Sequence, residues 1–289
     1  MTSPPPQEPP GAPGPRPGQD PPAHARRRWW TSSAGLSAIA ALGAAALVLA
    51  VFLATRGGDG GTGAPEASRT PPGPQIVLQP AQVAGLDAFT AGTAREFPPA
   101  DAPAPTLAPK LSDTYGAPSV SGGTRALYGG TKGASSCDVA EQTEYLTADP
   151  AKAAAFARVA VIDADGIGRY LKSLTPALLR ADTRVTDHGF ADGSATSFAA
   201  VLETGTAVLV DDRGVPRVRC AGGNPLSAPK AVKGAGHTGQ PWPGFQASEV
   251  VAVRPAPRTH TSFVLYDAGR DELFRRPVGT RGADDTWVG

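Results

Sequence analysis

The chain has 289 residues, among them 35 glycines and 31 prolines, and its 27 lysines and arginines offset 26 aspartates and glutamates to a formal net charge of +1. That balance leaves no basic field to hold nucleic acid, so a nucleic-acid partner is not expected. The length beyond Gln75 is ample for one sizeable core, and one folded domain is the default.

Residues 1–28 are too rich in proline and too poor in apolar side chains to fold and read as a disordered cytoplasmic tail. Spacings such as Pro10 to Pro13 arise by chance in such a composition. Residues 33–55 (SAGLSAIAALGAAALVLAVFLAT) carry no charge, proline or amide, the pattern of a transmembrane helix. At about 1.5 Å per residue the run reaches about 34 Å, against a hydrocarbon core of about 30 Å. Arg26, Arg27 and Arg28 precede it and only Arg56 follows closely, which places the N-terminus in the cytoplasm and the rest outside. A cleaved signal peptide would be shorter, and a lipoprotein would need a cysteine where none stands before Cys137. The integral, single-pass contact with the cell membrane is the first partner expected.

Residues 56–74 form a flexible Gly/Pro linker, 75–279 an extracytoplasmic domain interrupted by a Pro-rich insert at 98–110, and 280–289 a tail. QIVLQ at 75–79 is a short strand. The glycine pairs of GGTRALYGGTK imply turns with positive φ rather than a phosphate loop, since no GxxxxGK[ST] occurs. Ser136 and Asp138 can cap a helix through about Leu146, and Asp149 with Pro150 starts a second one. Ile167, Tyr170, Leu171 and Leu174 form the stripe of a third, ending before Pro176. From Leu179 to Thr186 apolar and charged residues alternate, as in a half-buried strand with Arg180, Asp182 and Arg184 on its polar face. Phe198, Val201 and Leu202 mark a short helix stopped by Gly205. TAVLVDDRGVPRVRC is a hairpin whose return strand Pro216 confines to an edge, and a last hairpin turns near Gly269. Together these elements describe an α+β domain of short helices and antiparallel hairpins behind a single transmembrane helix.

Two cysteines, Cys137 and Cys220, fall on the outward side, where thiols are oxidised. A disulfide is the simplest reading; two free thiols, or one nucleophile and one spectator, are the alternatives. The chain-entropy model gives such a bridge roughly 4.5 kcal/mol.

LYGGT (127–131), SCD (136–138), DTRVTDHGF (182–190), GTAVLVDDRGVPRVRC (205–220) and GNPL (223–226) together resemble the actinobacterial domain-of-unknown-function family numbered 6777, and LDAF at 86–89 is similar to its N-terminal edge. The resemblance covers about residues 75–279. It implies a membrane-anchored outward domain with no assigned activity. Members read CACGNPL where this chain has CAGGNPL, so Gly222 stands at the place of a second cysteine, which removes support for a metal or redox role and leaves Cys137 as the partner for Cys220.

The residues offer three chemistries. Asp163, Asp165, Asp211 and Asp212 follow apolar runs as in metal-dependent phosphatases, but Asp163 is placed to cap a helix and Asp211 and Asp212 to turn a hairpin. Cys220 with His188 as base makes a thiol hydrolase, provided Cys220 is free. Arg180, Asp182 and Arg184, with Arg217 and Arg219 on the next hairpin, make a charged surface for an envelope peptide, glycan or protein. A binding or envelope-associated scaffold module is therefore the leading expectation, with the hydrolases as alternative, and no cofactor is expected.

Overall fold

The computed structural model describes residues 73–96 and 117–289. The expected tail at 1–28, the apolar run at 33–55, most of the 56–74 linker and the insert at 98–110 lie outside these described residues. Among the described residues no helix is long and apolar enough to cross a membrane.

The strands are β1 (Gln75–Gln79), β2 (Ser119–Ser121) and β3 (Tyr128–Gly129) before the helices α1 (Val139–Thr147), α2 (Pro150–Ala160) and α3 (Ile167–Ser173). After them come β4 (Thr175–Leu179), β5 (Thr183–Asp187), β6 (Phe190–Ala191), β7 (Ser194–Ala195), β8 (Phe198–Leu202) and β9 (Ala207–Val210). The chain closes with β10 (Pro216–Arg219), β11 (Asn224–Ser227), β12 (Gly236–Thr238), β13 (Val251–Arg254), β14 (Ser262–Asp267), β15 (Glu272–Pro277) and β16 (Thr286–Trp287). Fourteen of these strands join one mixed sheet in the order β12-β1-β8-β5-β11-β10-β9-β4-β3-β14-β15-β16, with β13 bridging β5 and β2. The expected α+β class is therefore corrected: the sheet carries the fold, and the three helices pack as a minor layer.

The helix ends follow local chemistry. The Asp138 carboxylate accepts from the amide of Glu141 at 2.9 Å and caps α1, while Asp149 caps α2 through the amides of Ala151 and Lys152 with Pro150 at its first position. Helices and sheet enclose one core of Phe89, Leu146, Phe156, Ile167, Leu171, Leu209 and the two cysteines. A second core of Leu127, Leu179, Val185, Leu202, Val210, Leu265 and Phe274 lies within the sheet.

Four local expectations also change. Residues 198–202 are strand β8, paired with β1 on one side and β5 on the other. An apolar run of five cannot distinguish the two periods, and pairing at both edges decides it. The alternation from 179 to 186 is split between β4 and β5, each buried along its whole length. Pro216 does not make an edge: β10 pairs with both β9 and β11, and the proline sits at the strand start beside a register shift. Gly122 and Gly123 lack positive φ, which Ala126 adopts instead at 58°; Gly122 is required because a Cβ would collide with the carbonyls of Arg213 and Gly214.

The C-terminal residues belong to the folded body, since β16 pairs with β15 and Asp285 reaches the interior. There Arg276, fully buried, holds Asp285 at 2.7 Å and donates to the carbonyls of Pro176, Thr131 and Ala134 at 3.0, 3.1 and 2.5 Å. Removing one partner of a buried pair leaves an uncompensated charge. Asp285→Ala should destabilise the protein by roughly 3–5 kcal/mol, read by denaturant unfolding, with a loss under about 1 kcal/mol contradicting the assignment.

Candidate functional site

The start of α1 is tied to the end of β10 by a disulfide between Cys137 and Cys220, with Cα atoms 6.0 Å apart across 83 residues of sequence. Residues 90–95 are clipped beside it. The Thr93 amide donates to the Cys220 carbonyl at 2.8 Å, the Thr93 carbonyl accepts from Asp138, and the Arg95 amide donates to Ser136. Gln142, buried on α1, completes the clip by accepting from the Thr93 hydroxyl at 2.8 Å and donating to that of Thr90 at 3.0 Å.

Against this junction lies a groove of about 360 Å³ lined by Arg95, Ser135, Cys137, Asp138, Val139, Ala140, Lys172 and Arg281. Three cations from distant parts of the chain meet here. Arg95 pairs with Asp138 at 3.4 Å and with Glu141. The Asp138 carboxyl is held below its usual range first by the Glu141 amide and then, against some burial, by the Arg95 charge. Arg281 donates to the carbonyls of Lys172 at 3.0 Å, Leu171 at 3.3 Å and Gly279, closing the C-terminal end of α3, and burial lowers its pKa. Lys172 is exposed beside it. None of the three was singled out in the sequence: each sits in a different segment, and only the fold brings them together.

The residues that were singled out are placed otherwise. Cys220 is bridged and fully buried, so it offers no thiol, and His188 does not act on it. His188 instead places Nε2 2.9 Å from Ser227 Oγ and Nδ1 3.1 Å from the Thr196 carbonyl. Asp211 organises its hairpin, accepting from the amides of Arg213 and Val215 and pairing with Arg217 at 2.7 Å. Asp163 precedes a 3-10 turn at Ala164–Gly166 and is exposed, as are Asp165 and Asp212. No group of three or more His, Cys, Asp or Glu side chains able to hold a metal converges among the described residues.

The proposed charged face is taken up by the protein itself. Arg180 donates to the Ala126 carbonyl at 2.7 Å and lies 4.0 Å from the Tyr266 ring centre. Asp182 accepts from Thr204 at 2.8 Å and from the Trp242 indole at 3.1 Å. Arg184 and Arg219 are buried, at 3 % and 0 % exposure. Arg184 donates to the Ala200 carbonyl at 3.1 Å, and Arg219 donates to the carbonyls of Ala84 and Pro80, both at 2.8 Å, and of Val83. Gly222 lies beneath the same loop, where a Cβ would meet the Ala84 carbonyl and Ala88. Behind it Asn224 donates to Asp187 at 3.0 Å and accepts from the Phe89 amide at 3.2 Å. Burial pushes the Asp187 carboxyl up to about 6, although Asn224 and the Arg219 charge pull it back.

A family model described as a domain of unknown function, DUF6777, matches residues 118–279, more than half of the chain. No curated protein and no solved structure matches the chain. The motifs from Leu127 to Leu226 all lie inside the matched span, whereas residues 86–89 lie before it.

A carboxyl whose folded pKa exceeds its unfolded value of about 3.9 costs no stability below that pH and costs progressively more as pH rises through about 6, to roughly 3 kcal/mol. Asp187→Asn preserves the contact with Asn224 and removes the buried charge. Urea unfolding should show the variant gaining stability over the parent at pH 7.5 and little or none at pH 4; a gap that does not change with pH would exclude a buried, reluctantly ionised Asp187.

Proposed function

The chain belongs to the DUF6777 family, and from that footing we propose that its folded body is an extracytoplasmic recognition domain taking a carboxylate-bearing peptide in the groove beside the disulfide. The observation that carries this reading is the meeting of Arg95, Lys172 and Arg281 on one concavity. A groove of this volume suits a short segment, and cations along its wall favour carboxylates over neutral or cationic chains. Asp138 opposite Arg95 gives the groove a mixed character, which favours a peptide carrying both a carboxylate and a backbone N–H over a simple anion.

The proposed location is the outer face of a cell membrane, with residues 33–55 as tether and the N-terminus in the cytoplasm. What supports it is the arginine bias around that run and the Cys137–Cys220 disulfide, a bond that persists in oxidising compartments.

Two measurements test the proposal. Titration calorimetry of the full chain with a capped aspartate-rich heptapeptide should show binding that the asparagine version lacks, that weakens at least ~5-fold in Lys172→Ala and that falls as salt is raised. Equal binding of the two peptides would remove the charge argument. Protease added to intact cells should trim the C-terminal body; full protection, with a cytosolic label reaching that body, would place it on the other side.

A further inference from the structure

The His188 and Ser227 pair lies apart from the groove's lining residues and has a geometry of its own. His188 directly follows β5 and Ser227 ends β11, two strands whose pairing sets Leu226 opposite Asp187 and Ser227 opposite Thr186. The register thus delivers both side chains to one place, and both residues are partly exposed. The Thr196 carbonyl can only accept, so Nδ1 carries the proton of the neutral ring. Nε2 then presents its lone pair to Ser227, whose hydroxyl donates across 2.9 Å. This is a nucleophile, a base and an orienting acceptor in sequence, with a backbone carbonyl in the place where hydrolases use a carboxylate. Burial lowers the His188 pKa, opposed by the Thr196 contact and reinforced by the charge of Lys230, so the ring is an unprotonated base at neutral pH.

We propose that Ser227 and His188 form an acyl-transfer site that hydrolyses small esters. Ser227 Oγ attacks the ester carbonyl carbon while its proton passes to His188 Nε2. The tetrahedral adduct collapses by breaking the bond to the alcohol oxygen, which leaves with that proton. Water then attacks the acyl-serine, giving its proton to Nε2 and releasing the acid, and Ser227 regains the proton. The net change is ester plus water to acid plus alcohol.

The test uses the full chain with its disulfide intact. A fluorophosphonate probe should label Ser227, located by peptide mass spectrometry, and the chain should hydrolyse p-nitrophenyl acetate at a rate that has reached its plateau by neutral pH. Ser227→Ala should abolish labelling, and His188→Gln should lower both labelling and hydrolysis at least ~100-fold with the melting temperature little changed. His188→Ala should regain part of its hydrolysis when imidazole is added, an effect that a purely structural hydrogen bond does not produce. Labelling elsewhere, no labelling of the folded chain, or hydrolysis that survives Ser227→Ala would overturn the proposal.

Discussion

The covalent tie between Cys137 and Cys220 is what the arrangement around the groove depends on. It fastens the residue just ahead of the α1 cap to the first residue of the β10–β11 turn, two places that share no regular ladder. The neighbouring backbone uses the same junction, since Cys220 donates to the Ala207 carbonyl and accepts from the Thr93 amide. Residues 90–95 are thereby pinned between helix and sheet without being a strand of the large sheet. Arg95 inherits its place against Asp138 and Glu141 from this pinning. The hydrogen bonds that clip this segment contribute roughly 1 kcal/mol each, and a bridge closing so long a loop adds several more while fixing the two stretches of chain it connects.

Buried arginines do for the irregular segments what the disulfide does for the helix. A guanidinium cannot shed its proton, so once inside it must spend its five donors on acceptors. Arg219 does so mostly on the carbonyls of Pro80, Val83 and Ala84, fixing a loop that makes no ladder of its own. Arg276 gathers the Thr131–Ala134 turn, Pro176 and Asp285, three stretches far apart in sequence. Both arginines therefore act as internal ligands of the backbone. A surface cation with one carboxylate partner would contribute far less.

This explains which parts of the structure were legible in the sequence. The caps Asp138 and Asp149, strand β1 and the hairpins β9–β10 and β14–β15 are written in local chemistry, and reading them needs no knowledge of the rest. Arg184 and Arg219 were not legible as interior residues, because an arginine alternating with apolar neighbours carries the same signature whether it faces water or a cage of carbonyls. Residues 198–202 were misread because their class depends on β1 and β5, which pair with them from outside the segment. The sequence offers His188 only as a base for Cys220, which the disulfide takes out of reach. The β5–β11 register, which no spacing in the sequence reports, supplies Ser227 in its place.

The span matched by the family model separates the two proposed sites. His188, Ser227, Lys230 and the Thr196 carbonyl all fall within residues 118–279, as do the cysteines and the Asp187–Asn224 contact that hold the sheet's interior together. Of the groove's cations only Lys172 does; Arg95 precedes the span and Arg281 follows it. A site built wholly inside the shared domain can be a property of the domain. One that borrows two of its three charges from the flanking chain is set by what each protein adds. Loss of Arg95, an exposed side chain paired with Asp138 and Glu141, would therefore change the charge of the groove while leaving the His188–Ser227 contact and the buried arginine clusters in place.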